Sequence, residues 1–456
     1  MSATCSVPSP VLSATCRPAA LSRRTGALAL AIRIAGAAGL FLSQIVLIRG
    51  LGVTGFGEYA LAITWLQVLT VLGKLGLDNT SLRYVSEYTT KGETGKLHGF
   101  IRDSTRASLL ASMSVMVGVM ATVAIFRESI GNGLANCLHF SAVMIPLISL
   151  RQIQEACLRG VGRLFESQIC TAIWPLTLCI LAGIAWQTSS SLLSSPMAVL
   201  LHLVSVGVVS VLVYRFHRHF CFRDVRQADC ESRRQQWTNT AMAFLTAEVL
   251  IVLKGRACVA MAGMLLDSKS VGIYGAMEKF ADVSVLASQS LGLVIAPQFA
   301  ALFAAGCYSE MRRLMWQGQI LGLAFTLPVA LGVAFFGDYV FLLIGPDYRE
   351  GWNVLLALLA SACIAAFSGP AAYVLQMTGH ERTMLWITTA CAATNILLSL
   401  LLMRTYGLLG LGIAQMATSL VWTVGVRWSL SKHPAWQSKE FDNTAIDRPI
   451  ANEVSK

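Results

Sequence analysis

Of the 456 residues, 55% are hydrophobic and only 13% charged, about half the ~25% charge of a soluble globular protein, which excludes a soluble fold. The net charge of +11 would suit an anionic partner, but its distribution along the chain marks it as a topology signal and excludes nucleic acid. The twelve cysteines are scattered with no C-x-x-C pair, so no metal or redox motif is expected.

Residues 1–25 hold no acid and are rich in Ser, Ala and Arg, in the manner of an organellar transit peptide; a disordered cytoplasmic head is the preferred reading. Apolar stretches then recur at 27–48, 58–77, 107–126, 136–156, 167–186 and 196–214. Six more follow at 238–262, 271–297, 314–336, 353–377, 384–403 and 410–430. Each is long enough, at ~1.5 Å rise per residue, to cross a ~30 Å hydrocarbon core. The expected architecture is an all-α membrane protein of twelve transmembrane helices. Its six-helix blocks cover 26–213 and 238–430, joined by a basic linker at 214–237 and followed by a polar tail at 431–456.

Most Lys and Arg fall on the side of the N-terminus, the even-numbered connections and the C-terminus. The other side carries Arg49, Arg127, Lys269, Arg349 and Arg404. By the positive-inside rule both termini and the linker are cytoplasmic and 337–352 is extracytoplasmic. His217, His219 and Cys221, in a linker with six Arg, read as solvated loop residues rather than metal ligands.

The two blocks share punctuation. Gly57 and Tyr59 match Gly272 and Tyr274 at an offset of 215; "LGL" at 75–77 recurs at 291–293; Leu158 and Gly162 match Leu375 and Gly379. Three matches in order at a nearly constant offset predict two parallel repeats. Transporters built this way hold substrate between the halves and rock them for alternating access.

Charges inside spans are functional candidates by default. Arg33 shares a helical face with Ala37, Leu40 and Gln44, a small and polar face suited to a cavity; snorkelling to the cytoplasmic surface is the alternative for Arg33. Span seven carries Glu248, Lys254 and Arg256. At 100° per residue Lys254 and Arg256 point about 160° apart, and Arg256 is the stronger cavity candidate. In span eight Lys279 is positioned to pair with Asp282, beside Glu278; in span four Arg151 is positioned to pair with Glu155. Lys74, near the end of span two, is expected to snorkel.

The runs "IVLIRGLGVTGFGEYALAITW", "LGLDNTSLRYVSEY", "LLIGPDYREGW", "VLQMTGHERTMLWIT" and "YGLLGLGIAQMATSLVW" resemble the polysaccharide-export, Wzx-type flippases of the multidrug/oligosaccharidyl-lipid/polysaccharide (MOP) superfamily. The resemblance implies two six-helix bundles around a central cavity, and movement of undecaprenyl-diphosphate-linked oligosaccharide across the bacterial inner membrane. It implies a transporter rather than an enzyme, without a catalytic residue, resident metal or cofactor. Its expected partners are the lipid-linked oligosaccharide, membrane lipids, and the glycan polymerase and assembly proteins. Candidate substrate-binding residues are Arg33, Gln44, Lys254 and Arg256, and Glu248, Glu278 and Asp282 are candidates for coupling to Na⁺ or H⁺. The lipid II flippase branch has fourteen spans against twelve here, and the drug-exporting branch uses an acid in the first span, where this chain has Arg33. The alternatives are a cation-coupled small-molecule antiporter and a membrane glycan polymerase or ligase.

Overall fold

A computed structural model describes residues 23–188, 193–221, 231–304 and 307–432. The side chains of a few residues inside helices, Arg33 among them, lie outside the described set. The first half comprises α1 (Arg23–Lys74), α2 (Leu77–Lys91), α3 (Thr94–Ile125), α4 (Arg127–Ile130), α5 (Asn132–Gly160), α6 (Leu164–Thr188) and α7 (Ser195–Cys221). The second comprises α8 (Arg234–Leu265), α9 (Ser268–Ala304), α10 (Tyr308–Phe335), α11 (Gly337–Ile344), a 3₁₀ turn (Pro346–Gly351), α12 (Trp352–Met377), α13 (Glu381–Tyr406) and α14 (Leu408–Ser431). No strand occurs among the described residues.

Every predicted span lies on a helix. Among the described residues nine segments are long and apolar enough to cross a membrane. One of them, in α1, holds spans one and two on either side of Gly52, whose φ of 67° and ψ of −179° break the helix. An L side chain is strained there, so glycine supplies the turn. The helices of spans seven and eight, α8 and α9, fall outside the nine; each carries three ionisable residues in its middle portion. Ile125, Phe335, Leu342 and Trp386 each expose three-quarters or more of their surface, as suits side chains that face lipid tails rather than water.

Two features depart from expectation. The connection after span two contains α2, which buries Leu77, Ser81, Tyr84, Val85 and Tyr88 along one stripe and packs against α5 and α3. Too short and polar to register as a span, it is an amphipathic helix. The second departure is the start of the linker: α7 runs on to Cys221, and His217 and Cys221 are buried while His219 is exposed. All three therefore lie on a helix rather than in a loop, and His219 alone is solvated. No cluster of metal ligands occurs among the described residues.

The repeat prediction can be checked match by match. At the ends of α5 and α12, Gly162 and Gly379 adopt left-handed φ of 83° and 81°. The next residue of each donates back to the matched leucine, Arg163 N–H to Leu158 O at 2.9 Å and His380 N–H to Leu375 O at 3.1 Å. These are the same glycine-terminated helix end, built twice. The "LGL" match fails structurally: Gly76, at φ 69°, separates α1 from α2, whereas Gly292 lies inside α9 and packs on the Tyr373 ring.

Candidate functional site: a central cavity between the halves

Gly57 and Gly272 meet. A Cβ placed on Gly57 would lie 1.8 Å from the carbonyl oxygen of Ser268, and one on Gly272 would lie 1.9 Å from that of Val53. Each glycine thus sits on the carbonyl four residues before the other, and α1 and α9 approach backbone to backbone. Small residues permit such approach between membrane helices, and Cα–H···O contacts add to it. One turn on, Ala60 meets its counterpart Gly275. Leu61 packs on Gly263 of α8. The Tyr348 hydroxyl, from the 3₁₀ turn, donates to Ile48 O at 3.1 Å. Together these close one end of the space between the halves.

Beyond this seam two connected cavities open, one of about 290 Å³ bounded by Phe41, Gln44, Tyr59 and Leu286, and a larger one of about 610 Å³ that reaches Lys74, Arg151 and Glu248. Seven residues line both. Ile63, Gln67, Trp174 and His202 come from the first half, and Arg256, Glu278 and Asp282 from the second. All the charge shared by the two cavities therefore sits on one wall.

That wall is compensated. Arg256 Nη1 donates to Glu278 Oε1 and Oε2 at 3.4 and 3.3 Å, and Lys279 Nζ reaches Glu278 Oε2 at 3.2 Å and Asp282 Oδ2 at 3.5 Å. Two cations face two carboxylates, so their fields largely cancel at a distance while each group remains poised for a better partner. The predicted Lys279–Asp282 contact is present, with Glu278 as a third member.

The remaining predicted residues divide. Gln44 lines the smaller cavity beside Ala37 and Leu40; Arg33 precedes them on α1, but its side chain is outside the described residues. Lys254 lies 3.8 Å above the Trp422 ring and lines neither cavity, in keeping with its opposition to Arg256 on α8. Glu248 lines the larger cavity and is bonded to Lys74. Lys74 does not snorkel: its side chain is buried between Glu248 of α8 and Asp78, the latter at 2.8 Å. Depth along its own helix suggested an escape to the surface; a carboxylate from the opposite half holds it instead. Arg151 and Glu155 pair at 2.5 Å, and Arg151 lines the larger cavity.

Sequence reasoning missed the neutral wall. Trp174 and His202 stack with parallel rings, centroids 5.4 Å apart, and His202 Nδ1 bonds to the Tyr59 hydroxyl at 3.0 Å. Ser205 donates to the Trp174 carbonyl at 2.5 Å, fixing the backbone that carries the indole. A histidine inside apolar span six was the available signal.

A family model described as "Polysaccharide biosynthesis protein" matches residues 25–303, and one described as MatE matches 243–401. No curated protein matches the chain. Among solved structures, an inward-facing multidrug-resistance MATE transporter of the MOP superfamily is similar at 14% identity and a TM-score of 0.73, covering 89% of this chain and 98% of that one. The lipid II flippase MurJ in an inward closed conformation is similar at 14% identity and TM-score 0.65, covering 90% and 87%. An outward-facing MATE transporter follows at 13% identity and TM-score 0.58, covering 88% and 94%. These are transporters and a flippase, not enzymes, and they share this fold. With more than half its length matched, the chain belongs to the family described as "Polysaccharide biosynthesis protein".

Proposed function

We propose that the protein is a flippase for undecaprenyl-diphosphate-linked oligosaccharide in the bacterial inner membrane, working by alternating access with both termini in the cytoplasm. The observation that carries the reading is the Arg256–Glu278 contact on the wall shared by both cavities. A diphosphate offers the same two-oxygen face as the Glu278 carboxylate, with more charge, and guanidinium binds either through charge-assisted bonds. Glu278 thus stands where a substrate anion would bind. Entry of the diphosphate displaces it, and the freed carboxylate keeps its existing contact with Lys279. Arg33, on the face that bears Gln44, is proposed as a second phosphate ligand. The polyprenyl tail stays in the bilayer.

A cation-coupled antiporter is the second reading, favoured by Glu248, Glu278 and Asp282 all lining the cavities. Uptake of a diphosphate lipid-oligosaccharide by proteoliposomes separates the two. The flippase reading expects transport by the wild type, its loss in Arg256→Ala, and retention of substrate binding in Glu248→Gln. Transport of organic cations but not of the diphosphate lipid, with Glu248→Gln inactive, would establish the antiporter instead.

A further inference from the structure

The two walls of the junction differ in chemistry, and the difference maps onto the two parts of a glycosylated diphosphate. We propose that the neutral wall of the first half, centred on Trp174 with Gln67 and Gln152, is a glycan subsite, and that the charged wall of the second half takes the diphosphate. This rests on the flippase reading and specifies how the cavity divides its substrate.

A pyranose ring presents an apolar C–H face and a rim of hydroxyls that both donate and accept. An aromatic ring suits the first and carboxamides the second, because an amide also does both. Trp174 is half-buried, lines both cavities, and is held in one orientation by His202 and Ser205. Such pinning makes a rigid stacking platform, since no rotamer freedom remains to be lost on binding. Gln67, one helical turn beyond Ile63 on α1, is exposed and lines both cavities. Gln152 lines the larger cavity, and its Oε1 is buried without a hydrogen-bond partner. A buried acceptor left unpaired is unfavourable until a donor arrives, and a sugar hydroxyl is such a donor. None of these three carries charge, so they discriminate by shape and hydroxyl pattern; the cations that the first half brings to the larger cavity, Lys74 and Arg151, are held by Asp78 and Glu248 and by Glu155.

The test uses full-length protein in lipid nanodiscs and compares dissociation constants for undecaprenyl diphosphate and for the same lipid bearing N-acetylglucosamine, glucose or galactose. The wild type is expected to prefer at least one glycosylated lipid by about tenfold, equivalent to about 1.4 kcal/mol. Trp174→Ala should bring that ratio close to one while the bare lipid still binds within about twofold, a threshold well below the tenfold step, and Trp174→Phe should restore part of it. Gln67→Ala, which removes no packing, should lower the ratio without touching the bare lipid. Arg256→Ala should weaken both lipids equally and leave the ratio standing. The proposal is overturned if the wild type shows no preference, or if Trp174→Ala and Gln67→Ala weaken bare and glycosylated lipids alike. Failure of the wild type to bind the bare lipid at all would instead remove the flippase reading beneath it.

Discussion

Among the contacts of helix α1 with the second half of the molecule, two are opposites, one at Gly57 and one at Lys74. At Gly57 the contact is backbone on backbone, dry, uncharged and mirrored by Gly272. At Lys74 it is made by side chains: one ammonium between the carboxylates of Asp78 and Glu248, each of which keeps one buried oxygen without a partner. The first contact has nothing to titrate or exchange, and its strength depends on what is missing from the residue. The second depends on charge balance, and with two carboxylates to one ammonium the loss of a single charge turns attraction into repulsion. The alternating access proposed above would need contacts that respond to different signals, and these two differ in what can disturb them: added bulk for the first, charge for the second.

The largest effect is expected at the charged end. Lys74→Met leaves two half-buried carboxylates, Asp78 and Glu248, without their shared ammonium and should destabilise by up to about 3 kcal/mol, the lower end of the range for removing one partner of a fully buried pair. Adding Glu248→Gln should recover most of that loss, which thermal unfolding in detergent would show. A single variant as stable as the wild type would mean that this contact is solvated and weak.

At the seam, Gly57→Ala and Gly272→Ala each drive a methyl into a backbone carbonyl of the other half. Neither backbone yields as a side-chain tip would, so about 1–3 kcal/mol of overpacking is expected. The loss should appear as a population with the seam parted, read by increased thiol labelling at Ala60→Cys in a cysteine-free background. Equal effects of the two alanines would sharpen the mirrored description, and an effect of only one would break it.

Smaller still are the helix ends. Gly162→Ala and Gly379→Ala place a side chain at left-handed φ and should each destabilise by about 1 kcal/mol. Their near-equality is the prediction, checked by paired melting curves. A change of the same size is expected of Tyr59→Phe, which removes one hydrogen bond to His202, worth about 1 kcal/mol, while leaving the ring in place.

Hydropathy alone placed every predicted span on a helix, because lipid exposure writes itself into composition along a helix; nine segments among the described residues are apolar enough to cross a membrane, and the charged α8 and α9 are not among them. The repeat was legible at Gly57/Gly272 and Gly162/Gly379, where one backbone conformation or approach admits only glycine. It misled at Gly76/Gly292, where the same residue serves a turn in one half and a ring contact in the other. Lys74 was misread because its position along its own helix was visible and the Glu248 opposite was not. The angle between Lys254 and Arg256 was computable from spacing, whereas the Trp422 ring that receives Lys254 belongs to α14 and lies far along the chain. Trp174 and Gln67 escaped notice because uncharged residues in a membrane span carry no energetic flag.

The reciprocity of Gly57 and Gly272 bears on how far the two halves can differ from each other. A contact in which residue i of one unit rests on residue j−4 of the other, and j on i−4, is isologous, the kind that forms between identical subunits across a twofold axis. Here both units lie in one chain, so the seam has the geometry of a homodimer interface within a single polypeptide. In a homodimer a single substitution at such a glycine alters both faces of the contact at once. In one chain the faces can change one at a time, and the two halves can differ in the residues they bring to the cavity while the seam between them stays symmetric.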